Sequence, residues 1–399
     1  MFDRLPTART DSLMMLGRLM QADPRPDKID LGVGTYRDET GAIPIMKAVK
    51  AAEALLHAEQ TSKGYVGPAG DAAFALGLQA ATFPNLSPSL QARMSRIQTP
   101  GGTGALRLAL QIIAQANPAA QVWIGMPTWP AHLPIIAACG LTARTFDHLT
   151  ADGGLNRQTL DEALAQAAAG DVVLLHGCCH NPTGVDLDAD AWRAVAEIAT
   201  AKGLLPLIDL AYPGLGDSVE EDVAGVRILL EGCENALVAL SCSKSFGLYR
   251  DRTGALLMLS KAEATAANLA QVAAGHARLL WSNPPDHGAA LVRIILSSDE
   301  LTGLWRAELD AMRLRVNALR AQLAALPLPQ LDLSALSRQR GMFALLPVTI
   351  DEVRILRERH AVYVDASGRI NVAGLNDANF ERFAAALSEA DGTPPGEGG

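Results

Sequence analysis

The sequence predicts an α/β fold, a mostly parallel central sheet flanked by helices, with a second, smaller α+β domain. Length is the first sign: 399 residues exceed one ordinary domain, so one large and one smaller domain are expected. Composition agrees. Apolar residues make up 49% and aromatics only 5%, beside abundant Ala and Leu, which favours helices joined by short strands around a sizeable core. Periodicity is the third sign. From about residue 46 to 310, helical stretches alternate with short apolar runs, the pattern of βαβ units around a buried parallel sheet.

Residues 1–11 are polar and contain proline, and read as an arm. Leu13, Leu16, Leu19 and Met20 then recur at helical spacing until Pro24 and Pro26. Residues 29–34 read as a short strand closing in a glycine turn. The apolar runs that follow lie at 122–125, 172–175, 205–208, 236–240 and 255–259. Several stop at polar residues: His176, Asp209 and the segment 241–244. In such folds ligands sit outside the carboxyl ends of strands, so the chemistry is expected at these stops. Beyond residue 311, Met312, Val316, Leu319 and Leu323 share one helical face, and a βαβ-like tail follows through 342–346, 350–359 and 362–364 to Arg369. The closing ADGTPPGEGG reads as disordered.

A formal charge of −9 without any basic stripe argues against a nucleic-acid partner and for a small ligand with a local anion site. The cysteines are Cys139, Cys178, Cys179, Cys233 and Cys242, with one adjacent pair and no Cys-x-x-Cys, so no disulfide framework is expected. The opening MFDRLPTARTDSLMML lacks a basic region followed by an apolar stretch and does not read as a signal peptide. No apolar run approaches the roughly 18 residues of a membrane helix. A cytoplasmic protein is the expectation.

Lys244 directly follows an apolar strand in SCSKSFGLYRDR, where desolvation and nearby cations could make it nucleophilic. Ser241, Ser243 and Arg252 surround it with donors for an anion. Hydroxyls and a guanidinium around one lysine suggest a phosphorylated carbonyl compound bound as a Schiff base, although most lysines are exposed loop residues. TPGGTGALRLAL (99–110) places glycines before a helical pattern, so free amides at a helix N-terminus can face a phosphate. It is neither G-x-G-x-x-G nor a P-loop. LLHGCCHNPTGVDL (174–187) offers His176, Cys178, Cys179 and His180 as metal ligands. That zinc reading is the weaker one, because adjacent cysteines on an extended chain point to opposite faces and no second cluster matches. The same segment reads better as a turn presenting Asn181. Asp209 ends a strand with Tyr212 three residues on; it is either a helix cap or the partner of a protonated pyridine nitrogen. Trp129, fixed between prolines, can stack on a planar ring, and Arg369 can clamp a carboxylate.

Together these residues resemble the class I aminotransferases of the aspartate and aromatic amino-acid group, fold type I pyridoxal-phosphate enzymes. The similarity runs from about residue 11 to 390, and LGVGTYRDETG, GGTGALR, PTWPAH, HGCCHNPTG, IDLAY, SCSKSFGLYRDR, SNPPDHG and GRINVAGLN occur in the family's order. The resemblance implies that Lys244 is the Schiff-base lysine and proton shuttle. It pairs Asp209 with the pyridine nitrogen, supported by His132, and sets Asn181 and Tyr212 at the ring oxygen and Trp129 on the ring face. Gly102, Thr103, Ser241, Ser243 and Arg252 would hold the phosphate, joined by Tyr65 of a neighbouring subunit, so a homodimer with shared active sites is implied. Arg369 would bind the substrate α-carboxylate, with Gly34 nearby, and Arg278, four residues before the serine of SNPP, would meet a side-chain carboxylate. The implied substrates are amino acids and 2-oxo acids.

Around the substrate pocket the residues are mixed. Thr103 and Asn283 look like the aspartate-specific type, Ile43 and Gly64 like the roomier aromatic type. The expected reaction is transamination between an aromatic amino acid or aspartate and 2-oxoglutarate, with an aspartate-specific enzyme as the alternative. Three departures from the family pattern stand out: Pro213 after Tyr212, Ser245 after Lys244, and the pair Met14 and Met15. With the resemblance, the chain divides into an arm at 1–11, a large cofactor-binding domain at 44–311, a small domain from 12–43 with 312–390, and a tail at 391–399. No metal is expected.

Overall fold

The computed structural model describes residues 2–4 and 12–392. The expected arm therefore lies outside the described residues apart from a turn at Phe2–Arg4, and so do residues 393–399 of the expected tail. Asp391 corrects the start of that tail. It ends the helix Phe380–Asp391, is buried, and its carboxylate accepts from the backbone N–H of Gln330 at 2.8 Å.

By internal contacts the chain forms two compact units. Pro44–Asn317 with Arg338–Gly341 make the larger, and the described residues up to Ile43, Ala318–Ser337 and the described residues from Met342 onward make the smaller. The boundary after Asn317 falls inside the long helix Asp299–Ala324.

The larger unit is built on a 7-stranded sheet, in spatial order Met94–Pro100, Thr253–Leu259, Ala236–Ser241, Leu205–Leu210, Val172–His176, Gln121–Met126 and Thr142–Asp147. Thr253–Leu259 runs antiparallel to both its neighbours, and the other neighbouring pairs are parallel. Every apolar run read from the sequence lies within one of these strands, and the central ones are buried throughout because helices cover both faces. Two strands were not foreseen. Thr142–Asp147 is a half-exposed edge strand with no apolar run, and Met94–Pro100 is broken by Ser95, Arg96 and Gln98. Both exist because a neighbour supplies the ladder, which local propensity does not encode.

In the smaller unit Ile29–Asp30 pairs in parallel with Val362–Tyr363, and Arg369–Asn371 pairs antiparallel with Phe343–Leu345. The helix Ile350–His360 begins with a capping box in which Thr349 and Glu352 satisfy each other's backbone N–H groups. No helix among the described residues is long and apolar enough to cross a membrane.

The sheet closes on the glycine turn at the start of the helix Gly101–Ala116. A Cβ on Gly254 would lie 2.4 Å from the carbonyl oxygen of Leu240 and 2.7 Å from the carbonyl carbon of Gly101. Both obstacles are backbone, so neither can swing aside. Gly254→Ala is expected to cost about 1–3 kcal/mol of stability, read as a lower urea midpoint; an unchanged midpoint would show that the turn yields.

Candidate active site

The carboxyl ends of the parallel strands open into a cavity of about 210 Å³. It is lined by Gly102, Thr103, Trp129, Asn181, Asp209, Tyr212, Ser241, Ser243, Lys244 and Arg252, so ten residues singled out by sequence converge there. Leu106, His176 and Ala211 complete the wall. A larger cavity, about 350 Å³, lies at the opposite, amino ends of the strands, bordered by Leu205, Leu237 and Leu259. Its lining is mostly aliphatic and holds none of the predicted site residues, so volume alone does not locate the chemistry.

One end of the smaller cavity is built for an anion. The helix Gly101–Ala116 opens there with its N-terminal amides uncapped by any side chain. Gly101 has φ 69, and a Cβ on it would come within 2.7 Å of the Arg252 guanidinium. Only glycine lets the helix end approach that cation. Arg252 itself sits at φ 52, with its guanidinium donating to the carbonyl of Tyr249 at 3.1 Å and reaching the Ser243 hydroxyl at 3.5 Å. Amides, two hydroxyls and a guanidinium form a donor set suited to a phosphate.

The other end is built for a cation. Asp209 is buried, and its carboxylate lies 3.1 Å from His132 Nε2. Burial pushes its pKa up, but the His132 hydrogen bond and the fields of His132, His176 and Lys244 outweigh this and hold it below the ordinary carboxylate value. His132 Nδ1 lies 2.8 Å from the Thr128 hydroxyl, which lies 3.0 Å from His176 Nε2. A carboxylate can only accept, so His132 Nε2 donates to Asp209, and the Thr128 hydroxyl links His132 Nδ1 to His176 Nε2 behind it. His176 is held neutral by burial and by His132, its pKa pushed down to about 3. This chain holds the His132 ring against the Asp209 carboxylate. A ring with a protonated nitrogen fits between Asp209 and the anion cradle, flanked by Trp129, Asn181 and Tyr212. Lys244 Nζ stands 5.1 Å from the centre of the Tyr212 ring.

Thr128 was not singled out from sequence. Its only signal is a hydroxyl four residues before His132 in a buried turn.

The candidate zinc ligands do not gather. His176 and His180 are engaged with Thr128 and Thr183, and their rings stand at 4.1 Å from each other. Cys178 and Cys179, however, do not point to opposite faces of an extended chain. Cys179 has φ 51, not an extended conformation, and Cys178, Cys179 and Asp222 come within 4.8 Å of one another. The Cys179 thiol draws the Cys178 pKa down, but burial and the carboxylates of Asp222, Asp186 and Asp209 override it and push it up to about 12. These thiols stay protonated at neutral pH.

Tyr65 and Arg278 do not line the cavity around Lys244. Tyr65 is 93% exposed and borders a separate hollow with Gly64, Asn283 and His287, and Arg278 is exposed near the end of the helix Glu263–Leu280. In the smaller unit, Arg369 is buried, donates to the carbonyl of Gly32 at 2.8 Å, and lies 4.7 Å over the Phe343 ring. Gly34 packs on the same ring, where a Cβ would come within 2.9 Å. Asn371 ties the loop down by donating to the carbonyls of Val33 and Thr35.

Comparison with known proteins agrees with this geometry. A family model described as aminotransferase class I and II matches residues 26–387. The chain is 47% identical over 386 residues to a tyrosine aminotransferase of Rhizobium meliloti, covering 96% of this chain and 98% of that protein. It is 40% identical over 393 residues to an aspartate aminotransferase of Salmonella typhi, covering 97% and 99%. Among solved structures, an aromatic-amino-acid aminotransferase from Burkholderia pseudomallei, covalently bound to pyridoxal phosphate, superposes with TM-score 0.94 at 37% identity over 98% of this chain and 99% of that one.

The buried histidines also set a pH response. Burial lowers the pKa values of His148, His176 and His180, so an unfolded chain binds protons below about 6.5 that the folded one refuses. Stability is therefore full above that pH and lost as pH falls. His176→Gln should flatten the slope between pH 6 and 4 by up to about 1.4 kcal/mol per pH unit in urea titrations. An unaltered slope would mean that folded His176 takes up the proton.

Proposed function

The chain belongs to the class I and II aminotransferases, with pyridoxal phosphate as cofactor, and we propose that it transfers amino groups between an aromatic amino acid or aspartate and 2-oxoglutarate. The observation that carries this reading is the convergence of Lys244, Asp209 and the anion cradle on one cavity. When bound, pyridoxal phosphate supplies an electron sink that weakens the Cα–H bond of the amino acid. In this reading the amides of Gly102 and Thr103, the hydroxyls of Ser241 and Ser243 and the Arg252 guanidinium hold the phosphate. Asp209 keeps a proton on the ring nitrogen, and Asn181 and Tyr212 donate toward the ring oxygen. Trp129 covers the ring face. Lys244 Nζ would hold the cofactor until the substrate amine displaces it, and the freed amine would then take the proton from the substrate Cα and deliver it to the cofactor carbon it had left.

Arg369 clamps the α-carboxylate with paired hydrogen bonds, beside Gly34. Its burial supports that role, since a guanidinium kept from water favours an anionic partner. The two compact units take the parts of large and small domain. Tyr65 and Arg278 act in a homodimer, each reaching the active site of the other subunit. Support comes from their exposure and from Leu279, 84% exposed beside Arg278, an apolar surface that a second subunit would cover. Substrate breadth is supported by relatives named for tyrosine and for aspartate at similar identity, and by Ile43 and Gly64 alongside Thr103 and Asn283. A cytoplasmic location completes the reading, supported by five cysteines that the fold leaves as thiols.

Lys244→Ala should abolish the visible cofactor band and lower transamination by at least about 10²-fold; undiminished turnover would sink the assignment. Arg278→Ala should lower kcat/KM for aspartate by about 10²-fold and for phenylalanine by no more than about threefold, because only the dicarboxylate loses a charge partner. Equal losses on the two substrates would overturn that role.

A further inference from the structure

Trp305 is assigned nothing above, yet it holds the turn that carries Lys244. Its indole Nε1 donates to the carbonyl oxygen of Ser245 at 2.8 Å. Its ring lies flat on Phe246, with centroids 4.5 Å apart and planes within 4°. Ser245 and Phe246 are the two residues after Lys244, and both are buried with Trp305. The same turn is closed from within by Gly247 N–H to the carbonyl of Lys244 at 3.1 Å. One side chain thus grips two successive residues, one through the backbone and one through its ring.

Two of the departures from the family pattern meet here. Ser245 and Pro213 line one small hollow of about 20 Å³ together with Trp305 and Phe246. Pro213 follows Tyr212, whose ring faces Lys244 Nζ at 5.1 Å. Both peptides that frame the lysine are therefore backed by the wall that Trp305 completes.

We propose that Trp305 is a positioning residue for Lys244, which sets where Nζ stands relative to Asp209, Tyr212 and Arg252 by anchoring the backbone of Ser245 and Phe246. The inference rests on the reading of Lys244 as the cofactor lysine. A lysine stem is flexible, so the backbone from which it springs decides its mean position. Proton transfer is steep in geometry, and a displacement near 1 Å can cost about 10²-fold. Asp209, Tyr212 and Arg252 line the cavity with Lys244, so a displaced Nζ meets a different field and different hydrogen-bond partners.

Trp305→Phe keeps a ring for the stack and removes the N–H donor. In the protein loaded with pyridoxal phosphate, the midpoint pH of the visible band is expected to shift by at least about half a unit. In parallel kcat should fall about tenfold while KM changes less than about twofold. Val316→Ala, buried on the same helix about 16 Å further along, is the stability control: it should lower Tm and leave the band midpoint in place. Should Trp305→Phe fail to fold, Phe246→Leu removes the stack instead, and a band shift of at least about half a unit is expected. A band midpoint and kcat equal to wild type in the folded variant would reduce Trp305 to a packing role and overturn the proposal. A visible band that persists in Lys244→Ala would overturn the reading of Lys244 itself, so the two failures are distinct.

Discussion

The site depends on keeping one carboxylate charged inside the protein. Asp209 stands at the end of a buried strand, where burial by itself would neutralise it. The hydrogen bond from His132 prevents this, and Thr128 and His176 hold the His132 ring where it can give it. Four residues from three segments of chain therefore serve a single charge. Without that charge the cavity has an anion cradle at one end and nothing to hold a cationic ring at the other.

Close backbone approach is the second condition. Gly101 and Gly254 pack against one another, and the helix N-terminus, Ser241 and Arg252 come together around them. The anion cradle of the cavity is thus a product of strand order. Thr253–Leu259 runs antiparallel between Met94–Pro100 and Ala236–Ser241, which brings the glycine turn beside the serines across more than a hundred residues of sequence. Lys244 leaves the same strand end on a turn held by its own backbone and by Trp305.

Much of this was legible beforehand. The five buried apolar runs were strands because a strand covered on both faces must be apolar throughout, a local signal. The cavity residues were legible because they sit at strand ends or glycine turns, most of them with a polar side chain that a core would not tolerate. Edge strand Thr142–Asp147 was not legible, since none of its residues is buried and no apolar pattern marks it. Nor was the local geometry of Cys178 and Cys179, where a left-handed residue turns the chain and defeats reasoning from extended backbone.

By itself the sequence determined the alternation of helix and strand, the strand-end positions of Asp209 and Lys244, and the glycines ahead of the helix Gly101–Ala116. These follow from short-range periodicity and from residue types that admit few local conformations. Tertiary structure alone decided the hydrogen-bond chain behind Asp209, the approach of Arg252 to Gly101, and the grip of Trp305 on the lysine turn. Each of those joins residues far apart in the chain, and whether two distant polar groups fall within hydrogen-bond reach is set by packing, which no local pattern records.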